Sequence, residues 1–155
     1  MLTKKSKYGL KALLVLAREH GLGPILTSQL AEREQIPKKF LELILLDLKH
    51  HGIVHSRKGP RGGYQLGRSP DRISLGEVVR ILDGPLAQLP CVSVTAYMPC
   101  EECVSERDCA VRRVFKAVRD ETAHILDGTT LPSAARLAED DGAPTDMVAN
   151  QRGAR

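Results

Sequence analysis

The apolar residues near the start of the chain recur at the spacing of a helix. A first helix is predicted from about Ser6 to His20, with one buried stripe made of Leu10, Leu13, Leu14 and Ala17. Two glycines and a proline end it. A second, short helix follows, with Thr27 or Ser28 expected as its cap and Leu30 and Ala31 pointing inward.

A third helix is predicted from Pro37 to His51. Pro37 keeps Ile36 out of helical geometry and suits the first turn of a helix, and Gly52 lies where a helix-ending glycine is expected. Its inward stripe consists of Leu41, Ile44, Leu45 and Leu48. Three helices in succession, the last two joined by a tight turn, are typical of a helix-turn-helix.

Two short strands follow the third helix. Ile53–Val54 and Tyr64–Leu66 flank a turn rich in Gly and Pro that carries three basic residues, Arg57, Lys58 and Arg61. A hairpin in this position is a wing. Ser74 and Glu77 then form a capping box that opens a helix ending at Gly84.

The longest helical pattern runs from about Arg107 to Leu126. Its apolar stripe consists of Val111, Val114, Phe115, Val118, Thr122 and Ile125. A stripe outside the winged module needs a partner, and we expect a second copy of the chain; packing back on its own domain is the alternative. A last short helix follows, capped by Thr130, and the tail from Glu139 is expected to be disordered.

These elements predict a mainly α protein: a winged helix-turn-helix with a small β-hairpin wing, plus a long C-terminal dimerisation helix. The expected division is a DNA-binding domain at 1–84, a cysteine-rich sensor loop at 85–109, a dimerisation helix with a short terminal helix at 107–138, and a disordered tail at 139–155. The apolar runs are too short to cross a bilayer and the basic N-terminus lacks a cleavage site, so we expect a cytoplasmic protein with no membrane partner.

The net charge of +4 is divided unevenly along the chain. Residues 1–83 carry 15 Lys and Arg against 8 Asp and Glu, whereas residues 84–155 carry 8 against 11. A basic front half suits a polyanion such as double-stranded DNA, although a solvated basic surface would give the same balance.

The predicted third helix and wing carry candidate DNA contacts. Lys38 and Lys39 would meet phosphates, and Glu42 could accept a hydrogen bond from a cytosine amino group. On the wing, Arg57, Lys58 and Arg61 would reach phosphates or a narrow minor groove.

The four cysteines, Cys91, Cys100, Cys103 and Cys109, all fall within nineteen residues. In a reducing cytoplasm such clustering favours metal or redox chemistry over structural disulfides. Thiolate sets suit iron–sulfur clusters, and four cysteines suit structural zinc equally well. A disulfide pair or thiol switch without a cluster is a further alternative. No catalytic triad, P-loop or Gly-rich nucleotide signature is present, so we predict no enzyme and identify no small-molecule substrate.

The stretches LTKKSKYGLKALLVLA, PKKFLELILLDLKHHGIVHSRKGPRGGYQLG and ISLGEVVRILDG together resemble the IscR/NsrR/RirA/CymR-type family of dimeric bacterial transcription regulators, the Rrf-two superfamily. The resemblance covers about residues 2–137, and the pattern GxVxSx(x)GPxGGYxL is highly specific. It implies an N-terminal winged helix, a long dimerisation helix, and between them a loop that often carries three cysteines for an iron–sulfur cluster.

The resemblance also assigns roles to particular residues. It implies that Glu42 reads a base and that Arg57, Gly62 and Gly63 belong to the DNA-binding wing. It places the first and third cluster ligands at Cys91 and Cys109, with Cys100 or Cys103 between them. The cluster could be 2Fe-2S or 4Fe-4S.

The chain departs from the family pattern at several positions. Arg112 stands where some members have a histidine ligand, and Lys7 stands near the place where others offer an acidic ligand from the partner's first helix. The fourth cysteine could fill that gap. Leu43 and Asp47 replace residues that are more often polar or basic, so we expect a different target sequence.

The resulting hypothesis is a homodimeric transcription regulator, a repressor, whose binding to a DNA operator is gated by the cluster. A cluster on the cysteine loop would fix the start of the dimerisation helix relative to the helix at 75–83, and thereby the spacing of the two recognition helices. Two alternatives stay open: the same regulator sensing through cluster-free thiol oxidation, and a zinc-stapled winged-helix module that docks on a protein. Truncation after Ala138 is expected to leave DNA binding intact.

Overall fold

The computed structural model describes residues 2–137. The predicted disordered tail at 139–155 lies outside the described residues. The elements follow in the order α1 Lys4–Arg18, α2 Thr27–Glu34, α3 Lys38–His50, β1 Val54–Arg57, β2 Gly63–Leu66, α4 Leu75–Asp83, α5 Ala110–Gly128 and α6 Leu131–Leu137, with short 3₁₀ turns at Pro70–Arg72 and Pro90–Val92. This confirms the predicted fold class of a mainly α winged helix-turn-helix followed by a long C-terminal helix.

Helix α1 lies at the centre of the core and is contacted by α2, α3, α4 and α6. Its N-cap is Thr3, whose hydroxyl accepts a hydrogen bond from the backbone N–H of Ser6, so the helix begins two residues before the predicted start. The predicted buried stripe was wrong in part: Leu13 is fully buried, whereas Leu10, Leu14 and Ala17 are only half-buried against the core. The residues of α1 that are buried are Ser6, Gly9, Ala12, Leu13, Val15 and Leu16, because neighbours pack on several sides of the helix.

The N-cap predicted for α2 was wrong. Neither hydroxyl residue caps this helix; Leu26 occupies the N-cap position with extended backbone and no side-chain cap. The chain enters α2 from Ile25, whose backbone N–H and C=O both pair with Tyr64 of the wing at 2.8 Å. Those tertiary hydrogen bonds fix the entry to α2.

The predicted inward face of α3 is confirmed, because Leu41, Ile44, Leu45 and Leu48 are all fully buried. Pro37 occupies the N-cap rather than the first turn. Gly52 has a φ of +70°, the left-handed geometry that lets the chain leave the helix and enter β1.

Helix α4 connects the winged helix to the C-terminal elements. Its cap is confirmed in part, since the Ser74 hydroxyl accepts from the Glu77 N–H at 3.2 Å while the Glu77 carboxylate pairs with Arg68. At its other end, the Asp83 carboxylate accepts from the Thr3 N–H at 3.0 Å and from the Thr3 hydroxyl. The end of α4 is therefore tied to the start of α1.

The two C-terminal helices differ in how they pack. Helix α5 has no buried residue, and Val111, Val114 and Val118 are 42–60% exposed. Helix α6 returns to the winged helix, where Leu131 is fully buried in the main core. Backbone hydrogen bonds Leu75 N–H to Thr129 C=O and Leu131 N–H to Ile73 C=O fix the end of α5 beside the start of α4.

A bidentate ion pair reinforces this junction. The Arg80 guanidinium donates to both carboxylate oxygens of Asp127, at 2.6 and 2.8 Å. These hydrogen bonds lower the pKa of Asp127 and raise that of Arg80. Among residues 2–137, no helix is long and apolar enough to cross a bilayer.

The Arg80–Asp127 pair predicts a pH-dependent stability. Because the folded-state pKa of Asp127 lies below its ordinary value of 3.8, the stabilisation is present above that value and is lost as the pH falls through the folded-state pKa. Both side chains are partly exposed, so we expect Asp127→Asn to cost no more than about 1 kcal/mol at pH 7. Urea unfolding from pH 7 to pH 2.5 should show the wild-type and variant free energies converging at low pH. A constant difference across that range would contradict this account.

Candidate DNA-binding surface and cysteine cavity

The predicted base-reading and phosphate-binding residues of α3 lie together on its exposed N-terminal half. Lys38, Lys39 and Glu42 are all exposed, and Glu42 retains about half of its side-chain surface (50%). The Lys38 ammonium lies 4.0 Å from the Glu42 carboxylate, at the limit of an ion pair, so Glu42 keeps acceptor capacity for a ligand. This is the part of a recognition helix that contacts base edges in a helix-turn-helix.

The wing presents its three basic residues to solvent. Arg57 is the last residue of β1, and Lys58 and Arg61 lie in the turn; all three are exposed. The strands pair antiparallel with Arg57 opposite Gly63. Basic side chains on a thin hairpin can approach a phosphate backbone or enter a groove.

The two predicted wing glycines have identifiable backbone roles. A Cβ on Gly62 would lie 2.2 Å from the Arg57 carbonyl oxygen, and one on Gly63 would lie 2.2 Å from the Ile25 carbonyl oxygen. Gly63 also has a φ of +139°, which L side chains rarely adopt. Both residues therefore set the shape of the wing and its attachment to the segment before α2.

The four cysteines line one cavity of about 450 Å³ between the 3₁₀ turn Pro90–Val92 and the start of α5. Cys91 is buried on that turn, Cys100 is exposed, and Cys103 and Cys109 are half-buried. The wall also includes apolar and charged residues: Leu89, Pro90, Met98, Pro99, Glu101, Glu102, Val111 and Arg112. The loop thus places all the predicted thiol ligands around a shared space.

Cys109 and Cys103 line the same cavity and have opposite pKa shifts. Cys109 is the N-cap of α5, and its Sγ accepts from the Arg112 backbone N–H at 3.4 Å, which lowers the pKa of the Cys109 thiol. Burial, and then the neighbouring Cys109, raise the pKa of the Cys103 thiol, which donates to the Ser105 carbonyl oxygen at 3.4 Å. Cys109 therefore ionises more readily than Cys103.

Polar side chains brace the loop around these thiols. The Tyr97 hydroxyl donates to Glu106 at 2.7 Å, and the accepting carboxylate raises the pKa of Tyr97. Arg112 Nε lies 3.4 Å from the same carboxylate, an ion-pair contact without hydrogen-bond geometry. Arg112 thus contributes positive charge beside the cavity.

The cysteines are suitable donors for a metal group, but they are not arranged around a single metal position. Among residues 2–137, no three His, Cys, Asp or Glu side chains stand close enough together to hold one metal ion. Four thiols on one cavity wall are nevertheless the donor set that iron–sulfur clusters and structural zinc require. The thiols would have to come closer together to bind one metal group, so the four-cysteine site stays a prediction.

Arg119 was not predicted and connects the cysteine turn to α5. Its guanidinium donates to the Val92 carbonyl oxygen at 2.6 Å, and its side chain is only 13% exposed. It also pairs with Asp120. Arg119 lies seven residues after Arg112, so the sequence places both arginines on one face of α5. No local pattern in the sequence predicts that its partner is the Val92 carbonyl oxygen.

The chain matches known proteins along almost its entire described length. Residues 2–136 match the Rrf2 family, whose description is iron-dependent transcriptional regulator. An rrf2-like HTH-type transcriptional regulator of Rhodobacter capsulatus is 43% identical over 150 residues, which is 90% of this chain and 100% of that protein.

Solved structures of relatives have the same fold. CymR, the global cysteine regulator of B. subtilis, superposes with a TM-score of 0.74 at 31% identity, covering 88% of this chain and 97% of that one. The T. potens IscR structure gives a TM-score of 0.71 at 28% identity, covering 96% of each chain. The relatives named are regulators, which agrees with the prediction that the chain is not an enzyme.

The thiol pair predicts an order of alkylation in metal-free protein. Because the pKa of Cys109 is lowered and that of Cys103 is raised, Cys109 should carry more thiolate than Cys103 at neutral pH and react with iodoacetamide before it. Peptide mass spectrometry after short exposure at pH 7 measures the order. In Cys109→Ser, Cys103 should react faster than in the wild type, since it loses the thiolate neighbour. Faster modification of Cys103 in the wild type would contradict the assignment.

Proposed function

The chain belongs to the Rrf2 family of transcriptional regulators, and from that premise we propose that it is a homodimeric repressor whose operator binding is gated by an iron–sulfur cluster. DNA-binding regulation is the family's function. The observation that carries the finer proposal is the cavity lined by Cys91, Cys100, Cys103 and Cys109 directly at the N-terminus of α5. The family's description as iron-dependent supports iron over zinc in that cavity.

The DNA contacts would be divided between α3 and the wing. Glu42 would accept from a cytosine amino group in the major groove, with Lys38 and Lys39 on adjacent phosphates. Arg57, Lys58 and Arg61 would follow the backbone or a narrow minor groove. Occupation of a promoter by this dimer would exclude the transcription machinery, which is why we propose repression.

Cys91, Cys103 and Cys109 are proposed as cluster ligands, with Cys100 as the fourth donor. Cys103 is favoured as the middle ligand because it is half-buried in the cavity, whereas Cys100 is exposed. When bound, the cluster would supply a redox- and iron-responsive group. The protein would supply the cysteine thiolates as ligands, and the lowered pKa of Cys109 favours its ionised form. Arg112 would offset part of their negative charge.

Gating is proposed to pass through contacts that join the loop to the winged helix. Arg119 holds the Val92 carbonyl, next to Cys91, against the middle of α5. The far end of α5 is tied to α4 through Asp127 and Arg80. The Thr3–Asp83 bonds then connect α4 to α1, against which α3 packs. A change in the loop can therefore bias the placement of α3.

Dimerisation through α5 is proposed from its unpartnered apolar stripe. Val111, Val114 and Val118 are exposed along one face, with Phe115 and Ile125 half-buried beside them. Burying such a stripe against its two-fold copy would remove it from water. It would also bring two winged helices to two half-sites.

Cluster-free thiol sensing is the second candidate function. It is favoured by the Cys103–Cys109 pair and by the likeness to CymR, a cysteine regulator. A peroxide would oxidise the two thiols to a disulfide, which removes two electrons and two protons and reduces the peroxide to water. This reaction would change the start of α5 without any metal.

Substitution on the apolar stripe should dissociate the dimer. Val114→Asp would place a carboxylate in the proposed interface, and we expect sedimentation equilibrium to give a monomer mass at micromolar concentration, with the dimer weakened at least about tenfold. Ala117→Asp adds the same charge at an exposed α5 position off the stripe and should stay dimeric. A dimeric Val114→Asp variant would contradict this interface.

The gating proposal is tested with protein purified without oxygen. Iron and sulfide analysis and a visible spectrum establish the group present, and operator affinity is then compared before and after removal of the cluster by chelation. We expect a five- to hundredfold difference, the usual size of coupling between two sites. Colourless protein with one zinc per chain, or equal affinities with and without the cluster, would contradict gating by iron–sulfur.

Arg119 gives the internal test of the gating route. Arg119→Gln should still load iron and sulfide, since the cysteines are unchanged, while the ratio of cluster-bound to cluster-free operator affinity falls toward one. Lys116→Gln, which removes a different cation from α5, should keep the wild-type ratio. A wild-type ratio in Arg119→Gln would show that the Val92 contact does not carry the coupling.

A further inference from the structure

Two leucines lie on the outer face of the recognition helix α3. Leu43 is 61% exposed and Leu46 is 42% exposed, and neither belongs to the hydrophobic core. Single exposed apolar residues are common on protein surfaces, so exposure alone indicates nothing. Their position on the helix is the informative observation.

At about 100° per residue, Leu46 lies between Glu42 and Leu43 around the helix, and Lys39 falls within the same arc of about 100°. The two leucines are three residues apart and therefore neighbours on the surface. The opposite face of α3 packs on α1, α2, α4 and β1. The arc that presents the base-reading carboxylate thus also presents an apolar pair.

The charges around this pair favour a nucleic-acid partner. Asp47 is the acidic residue next along α3, and the Lys5 ammonium of α1 lies 2.7 Å from its carboxylate. That ion pair reduces the repulsion Asp47 would exert on a phosphate backbone. Lys38 and Lys39 are exposed on α3, on the N-terminal side of the two leucines. A protein partner would not need Asp47 to be neutralised or the two lysines to be exposed beside the leucines.

We propose that Leu43, with Leu46, is a specificity-determining residue that contacts thymine methyl groups in the major groove beside the base pair read by Glu42. Thymine is the base that displays a methyl group on its major-groove edge, and apolar side chains recognise it by contact. The inference rests on the DNA-binding function and specifies part of the operator: a thymine next to the cytosine that Glu42 would read.

The test starts with selection of an operator from random duplexes by the full-length protein. Each thymine of the selected sequence is then replaced singly by deoxyuridine, which removes the C5-methyl group and keeps the hydrogen-bonding edge. Fluorescence anisotropy on wild type should show about fourfold weaker binding at one or two thymines per half-site, the loss expected for one buried methyl group. In Leu43→Ala those replacements should have no further effect.

Lys58→Ala is the matched control, because a wing-tip cation should weaken binding to every duplex by a similar factor and keep the deoxyuridine pattern. Circular dichroism melting verifies that the exposed-leucine variants fold. Equal binding of thymine and deoxyuridine duplexes by wild type, or an unchanged pattern in both Leu43→Ala and Leu46→Ala, would overturn the proposal while leaving DNA binding intact. Failure of wild type to enrich any duplex would refute DNA binding itself and leave a protein partner for this face.

Discussion

Close packing of α3 and α4 against α1 is the constraint on which the rest of the structure depends. At Gly9 the packing leaves no free space, since a Cβ would lie 2.4 Å from Leu82 Cδ1 of α4 and 3.2 Å from Ile44 Cγ2 of α3, and these side chains would have to move. With no side chain there, one buried helix can hold both the recognition helix and the helix that leads to the cysteine loop. In the proposed gating, a displacement of α4 would therefore be passed to α3 through this tightly packed contact.

The junction at the far end of α5 completes this connection. Helix α6 is anchored in the core through Leu131, and Thr129 bonds to the start of α4. Helix α5 is thus held at its C-terminal end by the winged helix and at its middle by Arg119 on the cysteine turn. The exposed apolar stripe lies on α5, and the first turn of α5 lines the cysteine cavity. The proposed dimer contact and the cavity therefore share one helix.

The sequence predicted some features well because local rules decide them. The inward face of α3 followed from its periodicity, and the wing followed from its glycines, whose backbone approaches to Arg57 and Ile25 admit no side chain. The burial of α1 and the entry to α2 were missed because neighbouring elements determine them: Gly9 and Ala12 are small residues whose burial depends on what packs there, and Ile25 pairs with Tyr64. Arg119 was missed since its partner is a distant carbonyl.

In the proposed mechanism, the state of the cysteine loop sets the spacing of the two recognition helices of the dimer. The most direct measurement is the distance between spin labels attached, through a non-canonical amino acid, at position 49 on the exposed end of α3 in each protomer. Pulsed electron paramagnetic resonance on cluster-loaded and cluster-free dimers should give two distinct distributions, one of them compatible with half-sites one helical turn apart, about 34 Å. Identical distributions in the two states would contradict the account.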